Sequence, residues 1–306
     1  MKKDGTGHDF TLSDIPEIDL FLLRYIKNFS GGEHKSFFKG QGFDLVGLRE
    51  EQPGDKLSSI DWPQSSLNNY DPIMVREFEE DKNATIFIVA DASLSTFCGT
   101  NGLSSSDIAS RVIAMFGLSG VFFQDVTGLF FFDHEHKYGC LRPKAGKGQV
   151  VTCIKKYKER KFSLSVNSLA EVAKKILGQL TRTSTIPFVS DFLAGNPTEI
   201  INAIVGLKTK HDAFMVMIDQ GFAFDLPQIV DGWVECVDVD SGQKMILSSR
   251  ELSRLSEKVT KYQDELILMA RDRGIEVIRV GRDKNESFIK MADFFFIRRT
   301  KRKVTP

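Results

Sequence analysis

The side chains best placed to do chemistry are Asp91, Ser93 and Ser95, which alternate with Ala92 and Leu94 directly after an apolar run. A loop that bends there turns one carboxylate and two hydroxyls toward a single point, a donor set that suits a hard cation such as magnesium. What must position them is the run itself. ATIFIVADASLST, Ala84 to Thr96, opens with β-forming residues and ends abruptly in an acidic, hydroxyl-rich turn. It reads as the central strand of a parallel α/β sheet, with its carboxyl end at Asp91. Strand ends of this kind are where such sheets bind ligands.

Asp-x-Ser-x-Ser straight after a hydrophobic strand resembles the metal-ion-dependent adhesion site (MIDAS) of von Willebrand factor A domains, and Asp91, Ser93 and Ser95 match it position by position. The second motif of such domains is a Thr just before a helix, and SVNSLAEVAKKI puts Ser168 where that Thr is expected. A Ser that only caps the helix accounts for the same residue. For the third motif, IPFVSDF, Ile186 to Phe192, is an apolar strand ending in an acid, Asp191. In a parallel sheet that end can lie beside the end carrying Asp91. The resemblance therefore implies a Mg²⁺ or Mn²⁺ site made of Asp91, Ser93, Ser95, Ser168 and Asp191.

Upstream, Arg49-Glu50, Pro53-Gly54-Asp55, Ile60-Asp61-Trp62 and Val75-Arg76-Glu77 precede the strand. In this order and spacing they resemble domain-of-unknown-function family 58 (DUF58), as do Ser190-Asp191-Phe192-Leu193, His211-Asp212 and Leu226-Pro227. Ser58, Ser65-Ser66-Leu67, Gln220 and Phe222 depart from the family pattern. Pro53-Gly54 is a turn signal. Arg49, Asp55, Asp61 and Arg76 read as a charge network under the loop, structural rather than chemical.

The rest of the chain alternates helix and strand. Ser13 or Asp14 caps a helix with Pro16 in its first turn and Ile18, Leu22, Tyr25, Ile26 and Phe29 on one face. Helices are expected after Ser104, over residues 149–157, 167–180, 197–207 and 250–273, and from Glu286. Strands are expected at 126–132, 138–142, 186–192, 213–218 and 275–280. Trp233 to Val239 and Lys244 to Leu247 form a hairpin, expected to add to the sheet edge. Asp133-His134-Glu135-His136, with Cys140 near, lacks the ligand spacing of a zinc site and reads as a solvated turn. LRPKAGKGQV, Leu141 to Val150, lacks the phosphate-loop pattern.

These elements predict a doubly wound, mostly parallel α/β domain over 82–298, which the motif resemblance implies is of von Willebrand factor A/Rossmann-like type. A helix and loop-rich extension, 1–81, packs on it, and a basic tail, 299–306, follows. Lys plus Arg equals Asp plus Glu, 41 each in 306 residues, so no global field favours nucleic acid or an anionic membrane. The five basic residues Arg298, Arg299, Lys301, Arg302 and Lys303 read as a solvated end. The chain has no stretch of the ~18 or more apolar residues that would span a bilayer and no apolar leader. Its four cysteines are scattered, and a reducing cytoplasm is the expected home.

No triad order, activated Cys or paired general acid stands out, so the expected function is a metal-dependent protein-binding module, not an enzyme. The resemblance implies a protein partner that supplies an acidic side chain, such as a MoxR-type AAA+ ATPase, in assembly or maturation of complexes. A metal-free scaffold of the same fold is the alternative. A Mg²⁺-dependent hydrolase or phosphotransferase with Asp91 as nucleophile would need a second acid two residues on, where Ser93 stands.

Overall fold

The computed structural model describes residues 10–30, 43–55, 57–80, 84–100, 102–133, 135, 137–160, 164–165, 169–193, 196–221, 233–237 and 244–304. Ser168, His134, His136 and the turn at Asp240-Ser241-Gly242 lie outside them. Two compact units emerge, one of residues 23–83 and one of residues 1–22 with 84–306.

The N-terminal helix α1 (Ile15–Ser30) contributes its first half to the larger unit. Its entry differs from the expected Ser13 or Asp14 cap: a short 3-10 turn, Leu12–Asp14, precedes it, and Thr11 and Asp14 form a capping box around that turn. Within the smaller unit, β1 (Phe43–Glu50) pairs antiparallel with β2 (Met74–Glu80), and α2 (Trp62–Leu67) sits between them in sequence. Asp61 caps α2 by accepting from the Gln64 amide at 3.1 Å. Arg49 grips Asp55 through two bonds of 2.6 and 2.7 Å, and Arg76 holds Asp61 at 2.9 Å. The four charges thus form two separate local pairs.

The larger unit is built on seven strands. In chain order these are β3 (Thr85–Asp91), β6 (Val126–Phe132), β7 (Lys137–Lys144), β8 (Leu164–Ser165), β9 (Ser184–Ser190), β10 (Asp212–Ile218) and β13 (Val277–Val280). Their order across the sheet is β13-β10-β9-β3-β6-β7-β8. All pairs from β13 through β6 are parallel, whereas β7 and β8 close one edge antiparallel. Strand β3 lies centrally, and successive strands step away from it in opposite directions. This is the doubly wound, mostly parallel architecture the alternating pattern predicts.

Helices cover both faces. Apolar residues of β3, β9 and β10 such as Phe87, Val89, Phe188, Met215 and Met217 pack with α5 (Leu169–Gln179), α6 (Pro197–Lys208) and α7 (Ser249–Asp272) through Ile176, Ile204 and Leu266. The opposite face meets α3 (Ser105–Phe122), α4 (Lys147–Glu159) and α8 (Lys284–Val304), where Phe116 lies 5.8 Å from Phe214, ring to ring. Helix α3 is buried almost all round, as a helix between sheet and neighbours must be. Each fully buried Ile or Phe stabilises by about 1.5–3 kcal/mol over its exposed state, so these two layers hold the strand ends in fixed relation.

Two expectations need correction. The hairpin of β11 (Trp233–Val237) and β12 (Lys244–Ser248) is a separate two-stranded sheet and does not extend the main edge. The edge strand beyond β10 is β13. Helix α8 runs through the basic stretch to Val304, and its Arg298 bonds Asp212 at 2.7 Å as well as Glu276. A second tiny hairpin, β4 (Gly99–Thr100) with β5 (Leu103–Ser104), leads from the Asp91 loop into α3. Among the described residues, no helix is long and apolar enough to cross a membrane.

Candidate metal centre

Strands β3 and β9 are hydrogen-bonded neighbours with Ala90 opposite Val189, so their carboxyl ends bring Asp91 and Asp191 to the same edge of the sheet. This is the point where the winding reverses, and there the chain leaves adjacent strands in opposite directions and opens a crevice. Asp91 and Asp191 are both buried, at 7% and 2% exposure. Burial first, and then the charge of Asp91, push the Asp191 carboxyl up to about 6.

The loop after β3 curls tightly. Asp91 Oδ1 accepts from the Ser93 amide at 2.9 Å and from the Ser93 hydroxyl, and Asp91 Oδ2 accepts from the Ser190 hydroxyl at 2.8 Å. The Ser95 hydroxyl reaches Ser93 Oγ at 3.3 Å. Asp191 Oδ1 accepts from the Leu193 amide at 3.1 Å, and its Oδ2 from Gln220 Nε2 at 2.7 Å. Phe192 sits between them at φ 57°, a left-handed conformation that turns the chain sharply beneath the carboxylate. Asp91, Ser93 and Ser95 therefore form one connected cluster. Asp191 joins its edge through Ser190, its neighbour on β9. Ser168, the remaining expected ligand, lies outside the described residues.

Every hydrogen bond that these two carboxylates receive among the described residues comes from a neutral donor, an amide or a hydroxyl. Two buried acids at adjacent strand ends, with no cation bonded to either among the described residues and with Asp191 made harder to ionise by burial and by the charge of Asp91, form the donor chemistry a hard divalent ion relieves. The residues present fit such an ion. Among the described residues no three of His, Cys, Asp or Glu gather as ligands, at this site or elsewhere, so a site here depends on hydroxyl oxygens.

The surroundings contain residues that sequence reasoning missed. Gln220, just beyond β10, uses one Nε2 to bond both Asp191 and the Ser105 hydroxyl at the start of α3, each at 2.7 Å. Gln263, wholly buried on α7, donates to the carbonyls of Asp191 and Ile218 at 3.0 and 2.8 Å. Tyr157 on α4 donates to the Asp91 carbonyl at 2.7 Å. Arg160, after α4, bonds the carbonyls of Ala92 and Ser93. The only sequence signals were a glutamine at an apolar register of a helix and a departure from a family pattern. Ser104 caps α3 as read, in a box with Asp107.

The family model described as protein of unknown function DUF58 matches residues 47–263. No curated protein matches the chain. Among solved structures, similar chains include the conserved hypothetical protein BatB from Bacteroides thetaiotaomicron, at 10% identity over 71% of this chain and 100% of that one, TM-score 0.41. An aerotolerance-related membrane protein from Bacteroides fragilis NCTC 9343 is similar at 11% identity, over 69% and 97%, TM-score 0.45. The SpRpn10 VWA domain follows at 9% identity, over 68% and 94%, TM-score 0.36. Likenesses this distant carry no argument about the site.

Proposed function

This chain belongs to the DUF58 family, and from that premise we propose that it is a metal-dependent protein-binding module that takes an acidic side chain from its partner. One observation carries the reading: adjacent strand ends place Asp91 and Asp191 at the sheet's switch point among hydroxyls and amides, with no basic group bonded to either among the described residues. Asp91, Ser93, Ser95 and Asp191 would hold Mg²⁺ or Mn²⁺, and Ser168 is the further ligand the motif resemblance implies. With two carboxylates and otherwise neutral oxygens, the ion stays a Lewis acid able to accept a Glu or Asp carboxylate. The chain's own part is to hold the donors still and leave the crevice open beside Leu94 and Phe97, which are 49% and 53% exposed.

The partner that the resemblance implies is a MoxR-type AAA+ ATPase or its client, in assembly or maturation of complexes. Such a module works by binding and not by turnover, since Ser93 occupies the position a phosphoryl-transfer mechanism through Asp91 would give to a second acid. Isothermal titration with MnCl₂ against the protein and its Asp91→Ala variant tests the ion: heat from the first and none from the second is expected, and equal heats refute it. Pull-down from native lysate with and without EDTA tests the partner. Recovery should depend on metal and should be lost in the double variant Ser93→Ala, Ser95→Ala; recovery unchanged by EDTA, or unchanged in the double variant, leaves the metal-free scaffold.

A further inference from the structure

The bonds that the turn carrying Asp91, Ser93 and Ser95 makes within itself are all short-range. Asp91 Oδ1 takes the Ser93 amide and hydroxyl, Ser95 Oγ reaches Ser93 Oγ, the Thr96 amide and hydroxyl meet the Ser93 carbonyl at 3.1 and 2.7 Å, and the Cys98 amide meets the Ser95 carbonyl at 2.9 Å. Such bonds curl the turn, and holding its two ends against the rest of the domain takes a group from outside it.

Arg160 supplies that fixation from a distant part of the chain. One terminal nitrogen of its guanidinium donates to the Ala92 carbonyl at 3.2 Å and the Ser93 carbonyl at 2.9 Å. The other donates to Thr96 Oγ1 at 2.8 Å and to Ser106 Oγ at 2.7 Å. The Phe97 ring lies against the guanidinium, 3.7 Å from its carbon to the ring centroid. A single planar group thus ties the start and end of the turn together and anchors both to the first turn of α3. The arrangement needs a rigid fork with several donors and a stacking face, which Arg has and Lys does not. Arg160 takes the left-handed conformation at φ 47° that ends α4, an uncommon one for a residue with a Cβ.

Equally telling is what Arg160 leaves alone. Its four acceptors among the described residues are neutral carbonyl or hydroxyl oxygens, and neither Asp91 nor Asp191 is one of them. Its bonds therefore shape the loop without occupying the carboxylates.

We propose that Arg160, with Phe97 stacked on it, is the positioning residue of the cation loop, fixing the turn so that Ser93 and Ser95 are ordered before an ion arrives. The inference rests on the cation reading above. Ordering the donors in advance spares the ion that cost, and outer-shell groups of this kind typically matter about 10–100-fold in metal affinity.

The test uses the full chain, MnCl₂ alone as probe, isothermal titration for affinity and thermal melting in EDTA for the fold. Arg160→Lys keeps the charge and loses the fork; its Mn²⁺ affinity should fall about tenfold or more. Phe97→Leu keeps all four bonds and loses the stacking face, and a smaller loss is expected. Lys158→Met is the control. That lysine bonds Asp107 and the Phe10 carbonyl, so its loss should lower the melting temperature and leave Mn²⁺ affinity unchanged. If Arg160→Lys melts lower but binds Mn²⁺ as tightly as the unaltered protein, Arg160 is merely structural and the proposal is overturned. Should Arg160→Lys not fold, unchanged affinity in Phe97→Leu overturns it. If the unaltered protein itself takes no Mn²⁺, the cation reading fails and this inference falls with it. Binding that is lost in Asp91→Ala and kept in Arg160→Lys sinks the inference alone.

Discussion

Replacing Gln263 by Leu asks how much of the site's rigidity comes from the helix behind it. Gln263 is wholly buried, and its Nε2 donates to two carbonyls at the ends of neighbouring strands, Asp191 at 3.0 Å and Ile218 at 2.8 Å. Leu has nearly the same volume, so α7 stays packed and only the bonds go. Two buried carbonyls lose this donor, at about 1–3 kcal/mol each, while the Gln263 Oε1, buried without a partner among the described residues, is removed with a gain of similar size. The net loss is about 1–3 kcal/mol. For a unit of this size each kcal/mol lowers Tm by roughly 2–4 °C. Urea unfolding followed by circular dichroism measures it, with a drop in midpoint at unchanged slope expected. Gln263→Glu at pH 7.5 should be worse than Leu, because it puts a third carboxylate near Asp91 and Asp191, and the gap should narrow as pH falls and the new acid protonates. A Leu variant within about 0.5 kcal/mol of the unaltered protein, inside the range of featureless substitutions, refutes the idea that α7 braces the strand ends.

Two other predictions are independent of the ion. Burial, aided by Lys210, lowers the pKa of His211, whose Nδ1 accepts from the Ser184 amide at 3.3 Å. The folded chain therefore favours the neutral ring: its contribution to stability is present above the unfolded value of 6.5 and is lost as pH falls through it. Asp191, held up to about 6, works the other way in this window, so the difference is what reads His211: from pH 7.5 to 5.5 the urea midpoint of the unaltered protein should fall relative to that of His211→Asn, and parallel profiles for the two proteins would refute the assignment. Burial pushes the Cys153 thiol up to about 12, so in native protein at pH 8 iodoacetamide should label the half-buried Cys98 and spare Cys153. Peptide mass mapping decides it, and equal labelling of both would refute the assignment.

Much of the α/β unit is legible in the sequence because its central strands are buried on both sides. TIFIVA, VTGLFFF, STIPFVS and DAFMVMI are continuous apolar runs, and helices of 3.6-residue periodicity separate most of them. Asp91 and Asp191 stand out because an acid that ends such a run interrupts its chemistry. The hairpin was misplaced for a related reason: alternation in 233–248 shows that two strands pair, and says nothing about which sheet they join. Boundaries moved where caps were local. Helix α4 starts at Lys147, behind a Gly146 at φ 94°, with no side-chain cap to announce it. Arg160 was illegible because a basic residue after a helix resembles any C-terminal charge, and its acceptors lie more than fifty positions away. Gln220 and Gln263 reach across the sheet's upper edge, and no local pattern encodes such contacts.

Strands β3 and β9 are neighbours in the sheet although 99 positions separate Asp91 from Ser190. Closing a loop of that length costs about 4 kcal/mol of chain entropy, repaid only when both strands are buried. A chain emerging from the ribosome has Asp91, Ser93 and Ser95 long before it has Asp191, and it has Gln220 and Gln263 later still. Until β9 is made, Asp91 lacks Ser190 and Asp191 across the crevice. Whatever engages both carboxylates can therefore engage only a chain in which these two distant strands have met. The topology makes this corner of the molecule a receipt for that meeting, withheld from any chain that stops short of β9.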